Sequence, residues 1–417
     1  MIKSNQLLKV LCLIQLVSIV FFMEILNEKN IYILSWTILN CAIILFLIPK
    51  IKIPTSILLF CIFQVFLIFF HILRGMVSIN QYYGSILIYS NLFISIILWF
   101  IYLRLGISIV SIFSCLTCLG TFLSVLVIIE CLLKDNVFFG RFTRRESTLS
   151  SRGIYLAQGS MGNHIVLSMF ICLLIIISIY LFMYVNRLYL FPIIVQFISL
   201  LFCGSRTGYI AFGCCILFFL IKFFISLFYK RNFLKLLCCL ALLTILSLLI
   251  YLLIDQIPLF DFVTNRFSSL SGSENASARH RINAILMVLF YFIDQNPFFW
   301  FFGNGFGSLM YRLSTRQESY SVMSGFYVVD NQFVSYLYDM GILSFVCVLC
   351  LFFKMFFSSL TYSESPIMKT ISYCSIVLFI FFFSFDAFTW LASVSLIGFI
   401  VGLYFYEKNM ITQNIEK

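Results

Sequence analysis

Four short polar stretches interrupt an otherwise apolar chain, and each carries side chains suited to anionic or hydroxylic ligands. Gly204-Ser205-Arg206-Thr207-Gly208 sets an arginine among hydroxyls and glycines at an expected helix start. That is the make-up of a small anion nest, although an arginine there also serves as an interfacial anchor. Ala278-Arg279-His280-Arg281 offers two guanidinium groups able to straddle one anion and a histidine that exchanges protons near neutral pH. A lone histidine is more often a structural donor. In the stretch 296–307, Gly303, Gly305 and Gly307 permit close backbone approach to a ligand. Trp300 in that stretch suits either sugar stacking or an interfacial aromatic belt. Asp330-Asn331-Gln332 directly precedes an apolar run. Asp330 therefore reads as a plain helix N-cap or as a general base for a sugar hydroxyl. Asp339, about two turns deeper, is costly unless paired or facing a polar cavity. Asp386 reads mostly as a turn residue.

The elements that must position these groups are membrane helices. Of 417 residues, 62% are hydrophobic and 10% charged, against roughly a quarter charged in a soluble domain. The apolar runs have the roughly 17–25-residue length that crosses a bilayer. Spans are expected at 8–26, 31–48, 55–73, 84–103, 107–131, 164–184, 187–203, 207–228, 235–254, 333–357, 368–384 and 388–405. The fold class is thus an all-α polytopic membrane protein, a single integral domain over 1–417 with about 12 transmembrane helices (range 10–13). The division around 184–207 is the least sharply marked. A first external loop covers 132–163, and a large one, 255–332, lies between the ninth and tenth spans. Within the latter, 282–293 is short for a span and suits an interfacial helix.

Charge sets the orientation. With both termini in the cytoplasm, the inner loops collect the lysines, as the positive-inside rule requires. Of the 13 lysines, only Lys29 and Lys134 then fall outside, whereas 11 of the 14 arginines do. Arginine presents a planar fork matched to phosphate oxygens, so the external face is where phosphate or pyrophosphate handling is expected. The outer stretch with Arg141, Arg144, Arg145 and Arg152, followed by 158–164, suits the route of a lipid-linked or polymeric acceptor.

The net charge of +11 does not indicate nucleic acid, because no basic domain or recognition motif stands apart from the apolar runs. The 15 cysteines lie in or beside apolar segments. Cys115 and Cys118, though spaced as CxxC, therefore read as small packing residues rather than a redox or metal pair. The glycine stretch is no dinucleotide fingerprint, having no βαβ context. No nucleotide-sugar fingerprint or external carboxylate cluster suited to a metal is evident, so no cofactor and no metal are expected.

Together, SRTG at 205–208, the arginines around His280, NPFFWFFGNGFG at 296–307 and DNQFVSYLYDMG at 330–341 resemble the O-antigen polymerase and O-antigen ligase superfamily, the Wzy-like enzymes of bacterial surface polysaccharides. The similarity in organisation covers roughly 50–405 and is densest between 150 and 345. The resemblance implies a GT-C-like glycosyltransferase architecture in the bacterial cytoplasmic membrane. It also implies an undecaprenyl-pyrophosphate-linked glycan as donor and another as acceptor, with a flippase and a chain-length regulator as partners. On that pattern Arg206 and Arg281, or Arg279, contact the pyrophosphate. Ligases carry a histidine–asparagine pair where this chain has Asp330-Asn331, which makes a polymerase the better fit.

The expected reaction moves the growing glycan from its lipid pyrophosphate to a sugar hydroxyl on the incoming unit, without a metal. Asp330 is the first choice to take the acceptor proton and His280 the second, with Arg281 assisting departure of the pyrophosphate. Arg206, Arg279, Ser205, Thr207, Asn331, Trp300 and Arg152 complete the expected binding set. A ligase-type transferase and a transporter or flippase of lipid-linked oligosaccharide are the rival readings. Against transport, no internal repeat is evident and the polar signals gather at one surface.

Overall fold

The computed structural model describes residues 2–23, 26, 30–73, 79–140, 155–229, 275–315, 329–362 and 364–415. Every long element in them is a helix. In chain order these are α1 (Ile2–Val17), α2 (Asn30–Leu47), α3 (Thr55–Leu73), α4 (Ile79–Arg104), α5 (Ile109–Leu133), α6 (His164–Tyr184) and α7 (Leu190–Phe202). There follow α8 (Arg206–Tyr229), α9 (Asn275–Ile293), α10 (Pro297–Phe302), α11 (Ser308–Thr315), α12 (Gln332–Thr361), α13 (Pro366–Phe382) and α14 (Leu391–Ile415).

Eight of these helices are long and apolar enough to cross a membrane, among the described residues: α2 to α6, α8, α12 and α14. Shorter apolar helices cover Gln6–Phe22, Arg187–Phe202, Ile282–Ile293 and Pro366–Phe382. The expected span at 235–254 lies outside the described residues. So do 141–154 of the first expected loop and 255–274 and 316–328 of the large one.

Burial sorts the bundle into centre and rim. In α6 and α14, 83% of the span is buried, against 28% in α2 and α3. The outward faces are themselves apolar, with Leu45 and Leu73 both 71% exposed. Such faces are stable only where hydrocarbon, not water, lies against them.

Two close approaches hold the centre together. On α14, a Cβ at Gly398 would strike Ser95 and the Leu92 carbonyl of α4, and one at Gly402 would stand 2.9 Å from the Ile96 carbonyl oxygen. This is the small-xxx-small pattern that lets membrane helices meet backbone to backbone. Cys115 and Cys118 both lie on α5 as free thiols, in keeping with a packing role.

Glu130, buried near the end of α5, secures the chain that leads into α6. Its carboxylate accepts hydrogen bonds from the Tyr155 hydroxyl (2.9 Å) and from the backbone N–H groups of Gln158 (2.8 Å) and Gly159 (2.9 Å). Asn163 then caps α6, accepting from the Ile165 N–H at 2.7 Å.

Candidate active site

The site is built where α12 begins and then breaks. Asn331, not Asp330, is its N-cap: the Asn331 side-chain oxygen accepts from the Val334 N–H at 3.1 Å. The Asn331 amide also donates to the Phe383 carbonyl at 3.1 Å, tying α12 to the end of α13. Asp330 stands one residue ahead of this cap. Its backbone is left-handed, with φ of 51°, a conformation uncommon outside glycine and typical of functional positions when it occurs.

Nearly three turns on, Gly341 leaves the helix with φ 73° and ψ 175°, so α12 consists of two helical pieces. The break is filled by the glycine stretch after α10. A Cβ at Gly303 would collide with the Asp339 carbonyl and the Gly341 nitrogen, and one at Gly341 with the Phe301 carbonyl and the Gly303 nitrogen. Carbonyls released by the break find new donors: Tyr338 accepts from Asn304 N–H (3.2 Å) and Asp339 from Gly305 N–H (2.8 Å). Irregular backbone at membrane depth is tolerated only when satisfied in this way.

The carboxylate of Asp339 completes the splice. It accepts from Gly307 N–H (2.7 Å), Leu309 N–H (2.9 Å) and the Ser308 hydroxyl (2.9 Å), which caps the start of α11. The glycines at 303, 305 and 307 are thus spent on this join, which accounts for the whole stretch without a ligand.

Above the join lies a cavity of about 400 Å³. Asp330, Asp339 and Asp386 all line it, with Ser335, Asn163 and the aromatic wall of Phe306 and Trp390. Asp386 does sit in a turn, before the short 3-10 segment Ala387–Thr389, but that turn forms part of the cavity wall. Burial, then the neighbouring charge of Asp339, push its carboxyl up to about 8. The Ser335 hydroxyl opposes the shift and Asp330 adds to it. Its surroundings therefore favour the protonated form of Asp386.

Below the cavity, Phe306 stacks on Tyr89 with ring centroids 4.3 Å apart. The Tyr89 hydroxyl joins Tyr336, Ser344 and Gln64 in a buried hydrogen-bonded cluster, in which Ser344 donates to Gln64 at 2.7 Å. The side chains under the cavity are fixed by this network as well as by packing.

Arg206 is the first residue of α8. Ser205, buried, caps that helix by accepting from the Gly208 N–H at 3.3 Å, and Thr207 lies in the same turn. A Cβ at Gly208 would stand 2.9 Å from the Cβ of Ser168, little more than one turn along α6 from the cavity residue Asn163. The SRTG turn is thus at the cavity end of the bundle, although none of its residues lines the cavity itself.

Arg279, His280 and Arg281 lie in the first turns of α9, which starts at Asn275, ahead of the expected 282–293. Their side chains are outside what the structure describes, and Arg152 is outside the described residues altogether. Trp300 lies on α10 and does not line the cavity; nor does Asn331, although its neighbours Asp330 and Gln332 do.

Sequence reasoning passed over Ser335, Trp390 and Arg312. Arg312 on α11 donates to the Tyr338 hydroxyl at 2.7 Å and sits over the Tyr291 ring at 4.0 Å. Its only local signal was its place among the outer arginines. Among the described residues, no grouping of His, Cys, Asp and Glu is placed to hold a metal ion.

With this geometry in place, the comparison with known families is specific. Residues 191–349 match the family model described as O-Antigen ligase. The match runs from α7 through the break in α12, so it contains Arg206, the arginines around His280, the glycine stretch and Asp330. The matched segment is less than half of the chain, and over it the chain is similar to that family. The described residues are those of a multi-pass, all-α membrane protein. No curated protein matches the chain significantly.

Proposed function

We propose that the protein polymerises undecaprenyl-pyrophosphate-linked oligosaccharide repeat units at the external face of the bacterial cytoplasmic membrane. The growing glycan passes to a sugar hydroxyl on the incoming unit. The observation that carries this reading is the cavity at the break in α12, which Asp330 lines together with Asp339 and Asp386. An acceptor hydroxyl there meets Asp330 as its general base.

Among the described residues that line the cavity none is basic. A pyrophosphate would be repelled by its aspartates, so the donor's anionic group is assigned to Arg206 and, from the resemblance, to Arg281 or Arg279. These offset the charge that grows as the glycosidic bond breaks; removing one such donor typically costs about 10²–10³-fold in rate. Asp386, whose burial favours the protonated acid, donates a hydrogen bond within the cavity, and Asp330 takes the acceptor proton. His280 is the second choice for the proton. Direct attack of the acceptor oxygen inverts the anomeric carbon.

The architecture we infer has twelve spans in a GT-C-like arrangement. To the eight long helices it adds Gln6–Phe22, Arg187–Phe202 and Pro366–Phe382, with 235–254 as the remaining span. Ile282–Ile293 lies along the interface. Both termini are cytoplasmic, and a flippase and a chain-length regulator are the natural partners of such an enzyme.

A ligase reading is favoured by the description of the matching family. It differs in passing the polymer to lipid A-core rather than to another repeat unit.

The test is elongation in liposomes supplied with the host's native lipid-linked repeat unit, for the intact protein, Arg206→Ala and Asp330→Asn. A ladder of longer lipid-linked glycans that is lost in folded variants supports the polymerase and its site. A ladder that survives both substitutions rejects the site. Transfer only to lipid A-core identifies a ligase. Transbilayer movement of the unit without elongation identifies a transporter.

A further inference from the structure

A second cavity of about 220 Å³ lies toward the opposite end of the bundle. Asn163 at the first cavity caps the start of α6, whereas Met183 and Tyr184 at this one are among the last residues of the same helix. Its walls are Ile179 of α6, Phe212 and Phe219 of α8, and Tyr373 of α13. Among the described residues that line it, Lys369 is the one charged side chain. Lys369 is half-buried, in the first turn of α13.

A second ammonium stands close by. Lys222 of α8 is within electrostatic reach of Lys369, donates to the Ser359 hydroxyl and lies 4.7 Å from the centroid of the Phe218 ring. Two like charges near one another, one of them on the wall of an apolar groove, repel, and an anion beside them relieves the repulsion.

We infer that this groove is a binding site for an anionic phospholipid. Its acyl chain runs between α6, α8 and α13, and its headgroup phosphate meets Lys369 and Lys222. Apolar walls with a lysine at one end and a second close by match that chemistry, whereas a zwitterionic lipid brings its own headgroup cation, which the two lysines repel. On the positive-inside rule this is also the leaflet that presents anionic lipid. Lysine suits the task, since a diffuse headgroup requires point charges rather than the bidentate fork expected for a pyrophosphate.

The site stands apart from the first cavity and needs no assumption about the reaction. The experiment is titration of the purified full-length protein with phosphatidylglycerol, phosphatidylcholine or undecaprenyl phosphate, with bound lipid counted by native mass spectrometry. The proteins compared are the wild type, Lys369→Gln, Lys222→Gln and Ile216→Trp, the last of which fills the groove. The expected result is saturable preference for phosphatidylglycerol, weakened about fivefold by each lysine substitution, and loss of the bound lipid in Ile216→Trp. Equal retention of phosphatidylcholine by the wild type would overturn the inference, and that arm requires no variant to fold. So would displacement of phosphatidylglycerol by undecaprenyl phosphate, which would reassign the groove to a polyprenyl tail. Glycan elongation is a separate readout, so loss of the proposed polymerase activity leaves this result untouched.

Discussion

Asp330 and Asn331 are neighbours with different work. Asn331 spends both ends of its amide on structure, one on the first turn of α12 and one on the Phe383 carbonyl. Asp330 holds a left-handed backbone beside the cavity. Asn331→Ala is therefore expected to lower stability by about 1 kcal/mol, as loss of a helix cap does. Asp330→Asn is expected to leave stability almost unchanged and to cut elongation about 10²–10⁴-fold. Thermal unfolding in detergent and the liposome assay read the two effects separately, and a large loss of stability in Asp330→Asn would contradict this division.

Asp386 adds a pH signature at the same scale. Its carboxyl titrates near 8 in the folded protein, above its ordinary range, so the folded state holds this proton more tightly than the unfolded state does. Its contribution to stability is fullest in acid, declines as pH rises from about 4 to about 8, and is flat beyond. Asp386→Asn is expected to remove that slope from a stability–pH profile. It should also remove any fall in elongation rate between pH 7 and 9 that comes from a new charge beside Asp330.

The cap-or-base ambiguity at Asp330 was legible in the sequence, because a carboxylate and an amide stood side by side before an apolar run. Which of them capped was not, since both residue types do so equally well. Nor was the cavity role of Asp386 legible, because Asp339 and Asp330, the charges that act on it, are brought to it only by packing of α12 against α13.

At the scale of elements, the apolar runs showed most of the helices because the length of a bilayer crossing leaves little freedom. Of the expected spans, those within the described residues coincide with helices, including the poorly marked pair around 184–207. The break in α12 was hidden. Gly341 sits between apolar residues like any packing glycine, and its partner Gly303 was read as part of a ligand loop. The structure makes the two a single joint, in which each glycine occupies the space that the other's Cβ would need. Gly303→Ala and Gly341→Ala are each expected to cost about 2–4 kcal/mol through backbone collision and unfavourable φ. The double variant should cost less than the sum, since the joint is lost only once. Strict additivity in denaturation would show that the two glycines act independently.

The whole molecule is arranged around α6 and α14, with apolar rim helices facing outward. Gly402→Leu is expected to separate α14 from α4 and to lower the yield of folded, monodisperse protein, whereas a leucine at the rim position Cys118, already exposed, is expected to be neutral. Size-exclusion profiles of the two variants distinguish a specific helix contact from general sensitivity to added bulk.

The place of α14 also bears on how the molecule is made. It follows every other described helix in the chain, yet it is among the most enclosed. During synthesis, therefore, α4 must wait with the face that receives Gly398 and Gly402 uncovered until α14 leaves the ribosome. Asp386 and Trp390 emerge just ahead of that helix, so the wall of the cavity is finished at nearly the same moment as the bundle is closed. A nascent chain cut short before residue 391 would have most of its helices in place but no completed centre, which gives membrane quality control a clear distinction between finished and unfinished molecules.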